Sequence, residues 1–336
     1  MNSLSYHFPF KEICNQCQLG ELIDAPIPIS GGLLHKMYRL NTTKGQYAIK
    51  LLNPQIMQRP MARQNYLHSE QIAHFVSSHI PSLPALKLNG AFLHRMEDQF
   101  YLVFNWINGV SLKQNEIKQK HCDLMGGILA DIHKTDFSTL GILHNQINNR
   151  KLIDWNGFLL KGQEKQTTWR NLLAKNMDKL YEWDAMAKKA SSLLSSNMVL
   201  SHRDLDSKNV MWTGGNPVLI DWESAGYINP MQDLVETAIY WSGHEKGEID
   251  KTRFLAFISG YKRSVDKLHA DWTIVLNNGF LGKLEWLEYN LKRALWIECT
   301  DDEEQKLGTR QVTETINELQ HYAKAIPQLV NWLNET

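Results

Sequence analysis

Cysteine is scarce in this chain: four residues in 336. Cys14 and Cys17 form a Cys-x-x-Cys, but no second close pair of cysteines or histidines completes a zinc site. No strand precedes the pair as in a thioredoxin-type redox motif. Two reduced thiols on a helix, in a reducing cytoplasm, are the expectation. Charge of either sign is not in excess, since 36 Lys and Arg face 36 Asp and Glu. No global field therefore favours nucleic acid or an anionic membrane. Apolar runs of about 18 residues, the length a membrane span needs, are missing. The opening MNSLSYHFPFKEICNQ lacks a basic stretch followed by an apolar one, so export is not expected and a cytoplasmic location is. Internal repeats and low-complexity segments are absent as well.

What is present is an ordinary globular composition, 43% hydrophobic and 21% charged. The length suits two lobes better than one small core. Residues 26–52 read as strands around the pair Gly31-Gly32 and a Thr43-Lys44-Gly45 turn. Helical spacing follows over 60–79, then two strands over 85–88 and 99–106. From about residue 110 the pattern changes to amphipathic helices: 117–133, 152–164, 168–195, 231–243, 250–265, 271–298 and 302–334. A short strand–loop–strand–strand insert interrupts them at 198–222. The expected organisation is α+β, with a small sheet-rich lobe at 1–107 and a larger helical lobe at 108–336.

The insert carries the chemistry. Ser201-His202-Arg203-Asp204 follows the apolar Met198-Val199-Leu200, so Asp204 emerges at a strand end. Asn209 returns five positions later, and Asp221 closes the strand Pro217-Val218-Leu219-Ile220. One aspartate to orient a hydroxyl and take its proton, with an asparagine and a second aspartate to hold magnesium ions on phosphates, is the set that phosphoryl transfer needs. Asp206 and Glu223 stand beside these as candidate water-mediated ligands. His202 reads as a hydrogen-bonding brace for the loop. Upstream, Lys50 lies on the inward side of the strand Tyr47-Ala48-Ile49-Lys50, where a buried ammonium needs an anionic partner. Glu70 is the only acidic residue in 56–80 and the expected protein partner. Gly31-Gly32 is open to two readings, a plain turn or a backbone that approaches phosphate oxygens.

At these residues the chain resembles the aminoglycoside phosphotransferase and choline kinase-like family. The likeness runs from about residue 26 to 300. Its loop form His-x-Asp-x-x-x-x-Asn corresponds to His202–Asn209, and its strand end Ile-Asp-[Trp/Phe]-[Glu/Asp] to Ile220-Asp221-Trp222-Glu223. Ala225-Gly226-Tyr227, Pro230, Asp233-Leu234 and Leu129–His133 also match. The resemblance implies a bilobal protein kinase-like fold, with a small antiparallel-sheet N-terminal lobe and a larger, mainly helical C-terminal lobe. It implies Asp204 as catalytic base, Asn209 and Asp221 as Mg2+ ligands, and Lys50 as the phosphate lysine set by Glu70. Gly31 and Gly32 would lie by the phosphates, and Asn105, Trp106 and Ile107 would form the linker whose backbone meets adenine. The implied activity is ATP- or GTP-dependent transfer of the γ-phosphoryl group to a small-molecule hydroxyl.

His-Arg-Asp is the protein-kinase form of the motif, where this family more often has His-Gly-Asp. Yet no Asp-Phe-Gly or Ala-Pro-Glu is present, and the segment after Asp221 leaves no room for an activation loop. A small acceptor is therefore expected rather than a protein. A non-catalytic nucleotide-binding scaffold would be expected to lose one of Lys50, Asp204, Asn209 or Asp221, and all four are present. The acceptor is open: an aminoglycoside or other antibiotic, a choline-like amine, homoserine or a sugar. Glu285, Glu288, Glu298 and Asp301–Glu304 would suit a cationic acceptor, but the last run equally reads as an N-cap with an acidic first turn. Trp286, Tyr289 and Trp296 read as core rather than as a cation cage.

Overall fold

The computed structural model describes residues 8–29, 34–143, 151–243, 248–265 and 267–336. The chain forms two compact units, one of residues 1–111 with 209–224 and the other of 112–208 with 225–336.

In the first unit, β1 (Ile27–Ile29), β2 (Lys36–Thr42), β3 (Gly45–Leu51), β4 (His94–Met96) and β5 (Gln99–Asn105) form an antiparallel sheet in the order β1-β2-β3-β5-β4. A two-residue turn joins β2 to β3, with Gly45 at φ +150° and Thr42 Oγ1 donating to Leu19 O at 2.6 Å. Alternation along β3 sends Ile49 and Leu51 to one face and Ala48 and Lys50 to the other. Ile49 and Leu51 pack with Ile13, Cys14, Cys17, Leu40 and Val103. Ala48 joins Tyr66, Ala85, Leu102 and Phe104, alongside the helix Ala62–Val76.

Cys14 and Cys17 are thus core residues on the far face from Lys50, both free, with burial pushing each thiol pKa upward. Burial of that kind suits inert structural thiols. The stretch 85–88 does not form a strand. Its backbone is committed elsewhere, Ala85 N–H to Glu70 Oε2 and Leu86 N–H to Val103 O, with one bridge between Leu88 and Ala91.

A smaller sheet completes this unit. Val110–Ser111 (β6) pairs with Val210–Thr213, which pairs in turn with Asn216–Leu219. Leu219 N–H also donates to Pro81 O, and Leu83 N–H to Leu219 O. Sequence-distant residues 209–224 are thereby stitched to the segment that follows the helix Ala62–Val76.

The second unit is helical. The helices Gln119–Lys134 and Lys251–Lys262 approach closely because glycines face each other: a Cβ on Gly126 would meet Phe257 O at 2.1 Å, and one on Gly260 would meet Asp123 O at 2.0 Å. His133 Nε2 lies 2.9 Å from Asp233 Oδ2 and its Nδ1 2.9 Å from Tyr261 Oη, tying three helices through buried polar groups. The periodic stretch 271–298 is two helices, Trp272–Asn278 and Phe280–Ala294, joined at Gly279. A side chain at Gly279 would lie 2.1 Å from Tyr322 Oη, which donates to Leu276 O at 2.5 Å. Among the described residues, no helix is long and apolar enough to cross a membrane.

Candidate active site

Within the first unit, strand register places the chemistry. Lys50 stands opposite Met37 and Leu102 on the central strand of the sheet, and its side chain is only 7% exposed. An ammonium so far from water needs negative partners. It has two, Asp221 Oδ1 at 2.6 Å and Glu223 Oε2 in a second, shorter contact. Burial works to lower the Lys50 pKa, but the two carboxylates outweigh it and hold the group firmly cationic. Burial likewise opposes ionisation of Glu223, and Lys50 with His35 reverses the balance, keeping that carboxyl well below its usual range.

Asn209 and Asp221 are neighbours for a simple reason. In the hairpin Val210–Leu219, Val210 pairs with Leu219, and Ile220 N–H donates to Asn209 O at 2.9 Å. The residue before the first strand and the residues after the second therefore leave the same end of the hairpin. Asp221 takes φ +63°, a left-handed conformation that costs a non-glycine residue on the order of 1 kcal/mol and is concentrated at functional sites. Asn209 is buried.

Glu70 does not pair with Lys50. Its carboxylate accepts the Ala85 N–H at 2.6 Å, and burial pushes its pKa up to about 7, only partly offset by that bond and by Lys50. Gly31 and Gly32 lie outside the described residues. Asn105 ends β5 opposite Tyr47. Trp106 N–H donates to Gln46 O at 3.0 Å, its indole N–H to Asn108 Oδ1 at 2.8 Å, and the Arg39 guanidinium sits 4.8 Å above its ring. Ile107 is half-buried beside it.

Asp204 belongs to the second unit. Val199–Ser201 pairs with Gly226–Ile228, Ser201 opposite Gly226, so the segment Ala225-Gly226-Tyr227 braces the strand that launches the loop. His202 is fully buried and its Nδ1 accepts the Asp204 N–H at 3.3 Å, a bracing contact. Arg203 takes φ +63°. The Trp241 indole N–H donates to Leu205 O at 2.8 Å, anchoring the loop to the helix Pro230–Ser242. The Asp204 carboxylate stays partly exposed, with the mobile-stemmed Lys208 3.9 Å away and itself 58% exposed, a pairing of little strength.

A narrow pocket in the same unit, with about 40 Å³ of room, is lined by Glu236, Ile239, Tyr240, Lys283 and Tyr322. Burial pushes the Tyr240 hydroxyl pKa well up, and the carboxylates of Glu236, Asp204, Glu318 and Asp206 add to it. Burial also raises the Glu236 pKa to about 7. Glu236 and Tyr240 were not among the residues singled out from sequence. Their signal is a carboxylate inside the apolar run Leu234–Trp241, one turn from a tyrosine.

The acidic run downstream has structural work instead. Asp301 accepts the Glu304 N–H at 2.9 Å and caps the helix Asp302–Asn334, and Glu304 Oε1 lies 3.6 Å from the buried Arg293. Glu288 pairs with Lys292 at 2.8 Å. Trp286 and Tyr289 pack on each other with centroids 5.6 Å apart, while Trp296 is half exposed.

Among the described residues, no group of three or more His, Cys, Asp or Glu is placed to hold a metal ion. Magnesium asks for less: one or two protein oxygens, with phosphates and water supplying the rest. Asn209 and Asp221 offer only hard oxygen donors, and Asp221 already receives a cation in the form of Lys50 Nζ. The donor set fits magnesium.

The fold is that of known small-molecule kinases. Spectinomycin phosphotransferase APH(9)-Ia, in complex with ADP and spectinomycin, superposes with a TM-score of 0.69 at 14% identity, over 94% of this chain and 97% of that one. Ethanolamine kinase from Plasmodium vivax gives 0.58 at 16% identity, over 87% and 81%. Choline kinase from Cryptosporidium parvum gives 0.56 at 12%, over 97% and 98%. No curated protein is similar in sequence. The model of the phosphotransferase enzyme family matches residues 26–266, well over half the chain, and the protein belongs to that family.

Proposed function

We propose that this phosphotransferase moves the γ-phosphoryl group of ATP or GTP to a hydroxyl of a small, amine-bearing molecule, with Mg2+ as cofactor. The observation that carries the reading is the 2.6 Å bond between Lys50 Nζ and Asp221 Oδ1. Two residues 171 positions apart, each suited to triphosphate binding, converge in the first unit beside Asn209. Lys50 would bind phosphate oxygens, and Asn209 with Asp221 would hold magnesium, which when bound neutralises charge on the phosphates. The backbone of Asn105–Ile107 would face the adenine. Asp204, kept partly exposed on its braced loop, would orient the acceptor hydroxyl and take its proton.

Two features support a small acceptor. Only a short turn and the strand Gly226–Ile228 separate Asp221 from the helix at Pro230, which leaves no activation loop to order a peptide. The pocket lined by Glu236, Tyr240 and Lys283, on the same unit as Asp204, has about 40 Å³ of room, enough for one small polar group of an acceptor. Glu236, whose carboxyl ionises reluctantly at a half-buried position, gains most from a ligand that brings positive charge. Aminoglycosides and amino alcohols have that chemistry.

The test is nucleotide consumption across panels of aminoglycosides, other antibiotics, amino alcohols, sugars and a protein substrate, with Asp204→Asn as control. Turnover with an amine-bearing alcohol is expected, falling about 10²–10⁴-fold in Asp204→Asn, the usual worth of a general base, while nucleotide still binds. Undiminished turnover in the variant, or phosphate incorporated only into protein, would overturn the assignment.

A further inference from the structure

Lys50, Glu223 and His35 form a chain of contacts in the first unit that assigns a positioning task. Taking Lys50 as the phosphate-binding lysine proposed above, we infer that Glu223, itself clamped by His35, is the carboxylate that aims Lys50, in place of Glu70.

The geometry runs inward from Asn53. Its backbone N–H donates to His35 Nδ1 at 2.9 Å, so the imidazole proton resides on Nε2. That atom lies 2.7 Å from Tyr66 Oη and 3.1 Å from Glu223 Oε2. The imidazole is almost wholly buried, at 3% side-chain exposure, and Glu223 is 17% exposed. The same Glu223 oxygen that meets His35 also meets Lys50 Nζ. A buried carboxylate held by the His35 N–H is restricted in orientation, and the ammonium bonded to the same oxygen is placed accordingly.

Glu70 makes no hydrogen bond or ion pair with Lys50. Its Oε2 accepts the Ala85 N–H instead, which ties the helix Ala62–Val76 to the following segment. Asp221 does contact Lys50, but it is 35% exposed and is wanted by the metal. With Asp221 holding magnesium as proposed above, Glu223 would remain as a partner of Lys50.

The experiment measures ATP affinity by calorimetry, with magnesium and again in chelator, for wild type, Glu223→Gln, Glu223→Asp, Glu70→Gln, His35→Ala, His35→Gln and His35→Ala/Glu223→Gln. Glu223→Gln should weaken binding about tenfold or more in both conditions, as expected for loss of one charged partner. Glu223→Asp, which keeps the charge and withdraws it by one methylene, should fall between. Glu70→Gln should stay within about threefold. His35→Ala should weaken binding, His35→Gln should restore most of it by offering an N–H at similar reach, and the double variant should match Glu223→Gln alone, because His35 acts through Glu223. Wild type that binds while Glu223→Gln and Glu223→Asp bind equally well overturns this inference alone. So does a larger loss in Glu70→Gln than in Glu223→Gln, or additive losses in the double variant. Wild type that binds no nucleotide overturns the role of Lys50 and this inference with it.

Discussion

Glu70 offers a direct measurement of what its burial costs. The carboxyl is 3% exposed and its pKa is pushed from 4.5 up to about 7, first by loss of water, with the Ala85 N–H and Lys50 only partly restoring the charged form. A raised carboxyl pKa in the folded state means the native protein binds this proton more tightly than the unfolded chain. The proton therefore contributes stability in full below about pH 4.5, and that contribution is lost as pH rises through about 7. A shift of roughly 2.5 units corresponds to on the order of 3 kcal/mol, of which about 2.5 kcal/mol disappears between pH 5 and pH 8.

Glu70→Gln isolates this effect. Glutamine is close in shape, its carbonyl oxygen still accepts the Ala85 N–H, and it carries no titratable proton. Chemical denaturation of both proteins from pH 5 to pH 8 should give nearly equal stabilities at pH 5. The variant should then gain on the wild type by about 2–3 kcal/mol at pH 8. Other titrating groups, Glu236 among them, are common to both proteins and cancel in the difference. A difference that stays flat with pH would refute the raised pKa. A difference that favours wild type at pH 8 would mean that Glu70 is ionised and paired after all, most simply with Lys50.

Three further substitutions probe packing and acceptor recognition. In Gly126→Ala the new Cβ would meet Phe257 O at 2.1 Å and Tyr261 N at 2.9 Å; these are backbone atoms, so the two helices must part, at a cost of about 1–3 kcal/mol in chemical denaturation. The adjacent Gly127→Ala meets nothing nearer than 3.7 Å and should be neutral or gain up to about 1 kcal/mol of helix propensity; equal effects at the two sites would refute the close-approach account. Glu236→Gln should raise KM for a cationic acceptor about tenfold, the scale of one charged hydrogen bond. In the wild type that KM should fall as pH rises through about 7 and the carboxyl ionises, a trend the variant should lack; an unchanged KM with a retained pH trend would place the amine elsewhere.

These cases separate what local sequence reveals from what it hides. The proximity of Asn209 and Asp221 is legible because it is local: one tight hairpin whose register returns Asp221 beside Asn209. Lys50 is legible because strand alternation gives its face without knowledge of its partner. The partner itself is not local. Glu223 lies 173 positions away, on a segment fastened to the chain after the helix Ala62–Val76 by Leu219 N–H donating to Pro81 O, a bond that no hydropathy pattern announces. Glu70 is the opposite case, a lone carboxylate on the right helix that a backbone N–H claims first.

The break at Gly279 follows the same logic. Periodicity over 271–298 is continuous, and only Tyr322, 43 positions on, requires the glycine whose missing side chain makes room for its ring and hydroxyl. Acidic Asp301–Glu304, conspicuous in sequence, caps a helix, whereas Glu236, inconspicuous inside an apolar run, lines a pocket with Tyr240 and Lys283. A charge costs most where water is least available. A carboxylate set singly within an apolar stretch, as Glu236 is, therefore marks a recessed, poorly solvated position in this chain, where carboxylates gathered in a solvated run do not.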